Sequence, residues 1–235
     1  MSTQRTTSSW IALALAIIPA CKGSQHKDQG KQPEVSPTPR SELPPPTHTA
    51  RLAAGREPAP GCFAWSAQTK AAACITGERS QTGAAFTFEF VGTATRDIEL
   101  GATVTDDAAA QINSTLASDG YVAIAGEAKL VVDNRPTDLG GGVSVTWNHE
   151  PTDQGGNNVA PSHHDLAWIT CRGWQSPVLD DTHEGGIPTI TVRLPDDDHA
   201  IIEVRMHVSR EGESSDEFTV SVLDRKACKF KGPMD

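Results

Sequence analysis

The chain has 235 residues with 20 basic and 30 acidic side chains, a formal net charge of −10, and 37% hydrophobic residues. That length can bury one sizeable core. The acidic surplus repels phosphate backbones and excludes nucleic acid as a natural partner.

The first ten residues are polar with one positive charge, Arg5, and residues 10–18 form a short apolar run. A helix needs about 20 apolar residues to cross a bilayer, so this run is too short to span one. A charged start, a short apolar middle and a small residue before the cut compose a secretory signal. Ile18, Ala20 and Cys21 complete the pattern, with Pro19 between them. This segment resembles the signal of the bacterial lipoprotein class. The resemblance implies a signal peptide over residues 1–20, lipidation at Cys21, and a place in the cell envelope, extracytoplasmic and held to the membrane through an N-terminal lipid. Stable anchoring takes more than one acyl chain, a condition the multiply acylated cysteine of this class meets. Nothing about the folded domain follows from it.

Residues 21–60 read as a disordered, Pro-rich tether. Beyond Cys21 the large apolar residues there are Val35, Leu43 and Leu52, too few to offset the entropy of ordering. Polyproline II would carry the domain about 100 Å from the bilayer at full stretch. The charge divides at the same place, with seven basic and four acidic residues through Pro60, and 13 basic and 26 acidic beyond it.

Residues 61–235 are expected to form a single disulfide-containing, mainly β domain. Strands are predicted over 62–66, 72–76, 86–91 and 98–104 from their apolar patterning. Thr105 then caps a short α-helix that opens on Asp106 and Asp107, docks through Ile112 and Leu116, and closes at Gly120. Further strands are predicted over 121–125, 129–132, 143–147, 166–171, 187–194, 202–208 and 218–222. In 202–208 the alternation turns Ile202, Val204, Met206 and Val208 inward, and Glu203, Arg205 and His207 toward water. Pro195, Asp196, Asp197 and Asp198 make a turn between two of these strands, and 209–216 reads as a polar loop. About ten strands and one helix define an antiparallel β-sandwich or curled sheet.

Four cysteines remain after Cys21: Cys62, Cys74, Cys171 and Cys228. Three pairings are possible. A hairpin over 62–74 favours Cys62 with Cys74, because it sets the two opposite each other and gives Phe63, Trp65, Ala73 and Ile75 one apolar face. Cys171 with Cys228 is then the second pair. Paired cysteines fit an oxidising compartment, and with no Cys-x-x-Cys motif redox catalysis has no support.

Six of the eight histidines lie between His149 and His207, among dense carboxylates. Imidazole and carboxylate together suit zinc, and carboxylate-rich loops suit calcium. No spaced ligand signature fixes two ligands on one element. The place to look is a loop from His149 to Asp165 meeting 181–184, with His163, His164, Asp181 and His183 as ligands. Solvated loop residues are the plainer account, and no cofactor is required. Of Trp147, Trp168 and Trp174, the first belongs to the core, and Trp174, after Gly173, is the one placed to stack on a sugar.

Two functions emerge. The favoured one is a non-catalytic envelope lipoprotein whose domain binds a protein or glycan, with no catalytic residue assigned. The other is a metal-binding protein or metal-dependent hydrolase built on the His and Asp loops.

Overall fold

The computed structural model describes residues 49–93, 97–153, 162–210 and 213–231. The signal segment and Cys21 lie outside them, as does the tether up to residue 48. In chain order the elements are β1 (Gly61–Ser66), β2 (Ala71–Ser80), β3 (Gly83–Val91), β4 (Ile98–Leu100), α1 (Asp106–Ser118), β5 (Val122–Ala123), β6 (Lys129–Leu130) and β7 (Thr137–Gly140). They continue with β8 (Val143–Asp153), β9 (Ser162–Cys171), β10 (Trp174–Gly185), β11 (Thr189–Arg193), β12 (His199–Arg210), β13 (Glu213–Asp224) and β14 (Lys229–Lys231). The domain is mainly β with one helix.

Every pairing is antiparallel, and the main path runs β4-β3-β2-β13-β12-β10-β9-β8-β7 without closing into a barrel. Three strands hand one edge from one partner to the next, which lets the sheet curl and overlap itself. The edge of β12 carries β11 along 201–205 and then β10 at 208–209. The edge of β13 carries β2 along 215–218 and then β14 along 222–224. On β2 the change from β1 to β13 falls between Ile75 and Gly77. Gly77 has φ +115°, and a Cβ there would lie 2.1 Å from the Ala85 carbonyl oxygen. Only glycine allows that approach.

Helix α1 forms as its sequence predicts, with Thr105 Oγ1 accepting from the Ala108 N–H and with Ala109, Ile112 and Leu116 buried. The bridges Cys62–Cys74 and Cys171–Cys228 are both present. The first hairpin differs in one detail. A bulge between Cys62 and Ala64 sets Ser66 opposite Ala71 and Trp65 opposite Ala72. One extra residue flips the remainder of the strand to the other face. Trp65 therefore packs with Cys62, Cys74, Ile201 and Val222, while Phe63 packs with Phe88 in a separate cluster.

Four sequence expectations change. The polar loop at 209–216 is largely strand, split between the ends of β12 and β13, and β7, β10 and β14 add strands where none was predicted. Glu203 is buried, not solvated, at 6% exposure. Residues 49–60 join the folded unit rather than the tether. Thr49 bridges Val122, Ala50 and Pro58 are buried, and Asn113 clasps both backbone groups of Leu52 at 2.8 and 2.9 Å. Tether composition misleads here because α1 and the segments that flank it, at Val104, Tyr121 and Val122, supply the partners.

A chain begun at Gly61 should accordingly unfold at lower urea than one begun at Thr49. The expected loss is about 3 kcal/mol, from buried apolar area and the paired amide contacts. Coincident unfolding curves would show that residues 49–60 are passengers.

Candidate functional site

The histidine-rich segments are strands that pair with one another, and this pairing builds the site. Across β8, β9 and β10, His149 stands beside Asp165 and Asp181, and Pro151 beside His163 and His183. Alternation places His149, His163, Asp165, Asp181 and His183 on the inner face. Asp165 has no exposure. Its Oδ1 accepts from Trp147 Nε1 at 2.8 Å and lies 3.0 Å from His149 Nδ1. Its Oδ2 lies 3.0 Å from His183 Nε2. A carboxylate only accepts, so each imidazole donates from the nitrogen facing it. The His149 and His163 rings pack at 4.5 Å between centroids.

Two buried nitrogens at this cluster, His163 Nδ1 and His183 Nδ1, have no hydrogen-bond partner among the described residues. Among the described residues, however, no three His, Cys, Asp or Glu side chains are placed to hold a metal ion. The four residues singled out as ligands divide. His163 and His183 meet, and Asp181 shares their face. His164 lies on the outer face, 2.9 Å from Asp180 Oδ1. The period of a strand separates adjacent histidines. The residues that organise the cluster, Trp147, His149 and Asp165, were readable only by extending the alternation past Trp147 into what looks like loop.

The Pro195–His199 region is a second buried polar knot. Asp196 Oδ2 accepts from Trp65 Nε1 at 3.1 Å, and Asp196 Oδ1 lies 2.9 Å from His199 Nδ1. His199 is buried against Trp65, with centroids 5.0 Å apart. Burial alone would raise the Asp196 carboxyl. Hydrogen bonds from His199 and from the backbone N–H groups of Asp198 and His199 outweigh it and hold the group below its ordinary value. A turn was expected here and is present, but it anchors the core.

Two of the clefts among the described residues bear on function. One, about 410 Å³, lies between residues 57–60 and the seam of β2 and β13. There the Arg79 and Arg205 guanidinium groups lie 5.8 and 5.4 Å from the Phe86 and Phe218 rings. The chain itself engages both, since Arg79 pairs with Glu57 and Arg205 Nη2 donates to the Pro60 carbonyl. The other, about 350 Å³, is shallow and lies on the outer face of β9 and β10, lined by Leu166, Trp168, Gln175, Ser176 and Pro177. Trp147 is buried as expected. Trp174 is exposed at the hairpin turn, opposite the inward-facing Cys171, and Trp168 takes the place on the outer face that the sequence offered to Trp174.

No family model, no curated protein and no solved structure matches the chain. Among the described residues no helix is long and apolar enough to cross a membrane. The two disulfides fit an oxidising, extracytoplasmic compartment.

Replacing Asp165 tests the inner cluster. Asp165→Ala strands two buried donors and the partly buried His149, and should cost about 3 kcal/mol in urea unfolding, while Asp165→Asn keeps one acceptor and should cost less. An Asp165→Asn chain as stable as the wild type would show that volume, not hydrogen bonding, holds the cluster.

Outside it, the Asp180 hydrogen bond lifts the His164 imidazole above its ordinary 6.5. Because the folded value is raised, this pair's contribution is complete below pH 6.5 and is lost as pH rises from there through the raised folded value. Proton NMR should place the His164 midpoint above 6.5 and return it toward 6.5 in Asp180→Asn. An unmoved midpoint would sever the pair.

Proposed function

We propose that the protein is an envelope lipoprotein, acylated at Cys21, whose folded unit is a non-catalytic binding domain carried on a Pro-rich tether. The observation that carries this reading is the distribution of the five cysteines. Four close two disulfides, and Cys21 is left at the end of a short apolar signal-like run. An acidic unit fits a position away from anionic headgroups. The binding role is supported by the outer face of β8, β9 and β10, a broad surface with an open cleft.

The other reading, a metal-binding protein or metal-dependent hydrolase, rests on the orphaned nitrogens of His163 and His183 beside Asp165. Elemental analysis separates the two. One equivalent of zinc or calcium, lost in His163→Ala/His183→Ala, would move the assignment to the metal.

For the anchor, cells fed labelled palmitate should label the wild-type chain and leave Cys21→Ser unlabelled. Equal labelling of both would remove Cys21 as the attachment site.

A further inference from the structure

The sheet segment that buries the histidine cluster presents an unusual opposite face. Its cross-strand rows there are Ser144–Thr170–Gln175, Thr146–Trp168–Pro177 and Asn148–Leu166–Asp180. Trp168 occupies the centre, half-buried, and contributes nothing to the inner core, which Val145, Trp147, Ala167 and Ile169 fill from the other side. Around it stand the hydroxyls of Thr146 and Thr170, the carboxamide of Gln175, and the apolar Leu166 and Pro177. Gln175 Nε2 donates to Thr170 Oγ1 at 3.4 Å, which orients the amide beside the indole. The cleft lining carries no ionised side chain, although acidic residues outnumber basic ones two to one beyond Pro60. The nearest charge in these rows, Asp180, is engaged by His164.

We propose that this face binds a neutral oligosaccharide, with Trp168 as the stacking platform and Thr170 and Gln175 as hydrogen-bonding partners. The chemistry of the lining selects that class. An indole face packs against the C–H face of a sugar ring, and neutral amide and hydroxyl groups match its hydroxyls. A charged partner finds no counter-ion in the lining. An apolar peptide would bury the Thr and Gln groups without replacing their water. The cleft's roughly 350 Å³ lies within the range of small-ligand sites, about 300–1,000 Å³. Trp174, by contrast, lies off this face and has no part in the site.

This inference deepens the binding role and rests on that part of the proposed function. The full-length chain, purified in detergent, would be titrated with cellotetraose, chitotetraose and mannotetraose by calorimetry. Saturable binding of at least one is expected at millimolar concentrations or below. Trp168→Ala should weaken it about tenfold or more, equivalent to 1.4 kcal/mol. Trp168→Phe should retain part of the affinity, and Trp174→Ala all of it. Gln175→Ala, a surface change that leaves the core intact, should also weaken it. No saturable binding of any of the three, or equal binding by Trp168→Ala, would overturn the proposal. So would a Trp168-dependent affinity for an uncharged apolar peptide with no sugar bound. Palmitate labelling at Cys21 reports on the anchor separately, so either idea can fail without the other.

Discussion

The fold depends on one buried carboxylate, Glu203, in the middle of β12. Its Oε1 accepts from the Cys62 N–H at 2.8 Å, and its Oε2 accepts from Thr191 Oγ1 at 3.0 Å and Arg193 Nε at 3.4 Å. One side chain thereby ties β1, β11 and β12, which belong to different stretches of the curled sheet. A carboxylate taken out of water is tolerated only where its lone pairs are filled and a cation is near, and this site meets both conditions. It can exist because β12 is covered on both faces. Ile202, Val204, Met206 and Val208 pack into one cluster and Ile201 into another with Cys62 and Trp65. The first hairpin cannot shift register without stranding Glu203, and the Cys62–Cys74 bridge next to that contact holds the same register covalently.

The same feature explains what the sequence could and could not reveal. Period-2 alternation identifies β11, most of β12 and residues 218–222 of β13, because one face of each of those stretches is apolar. The α1 boundaries are readable because Thr105 and the two aspartates act within a single turn. The Cys62–Cys74 pair is readable because hairpin geometry is local. Glu203 is not, since alternation assigns polar residues to water and cannot see that β1 covers that face from 141 positions away. The Phe63 bulge and the change of partner at Gly77 likewise come from packing at long range. Strand β10 escapes because Asp180, Asp181, Thr182, His183 and Glu184 have the composition of a loop. Its inward His183 is held there by Asp165, which no single-strand pattern discloses.

The histidine cluster invites a metal by composition, and among the described residues its centre is a carboxylate. Both oxygens of Asp165 face donors, one indole and two imidazoles. The arrangement is self-sufficient for Asp165 and leaves the orphaned nitrogens on His163 and His183 as its one unbalanced element. Such a network fixes the mutual register of β8, β9 and β10 as a zipper of apolar residues could not, because a slip of two residues would leave Asp165 without donors.

That rigidity bears on the outer face. The three strands hold ionisable groups inside, beyond the apolar Val145, Trp147, Ala167 and Ile169, while the outer cleft sets an indole beside uncharged side chains, with His164 and Asp180 next to it. An inner network that locks the register also locks the spacing of Trp168, Thr170 and Gln175, which sit on the same strands as His163, Asp165 and His183. A flat platform for a rigid ligand gains from such fixing, because less freedom is lost when the ligand binds. The buried polar cluster and the half-buried indole are then two faces of a single device: the first sets the geometry that the second presents to solvent.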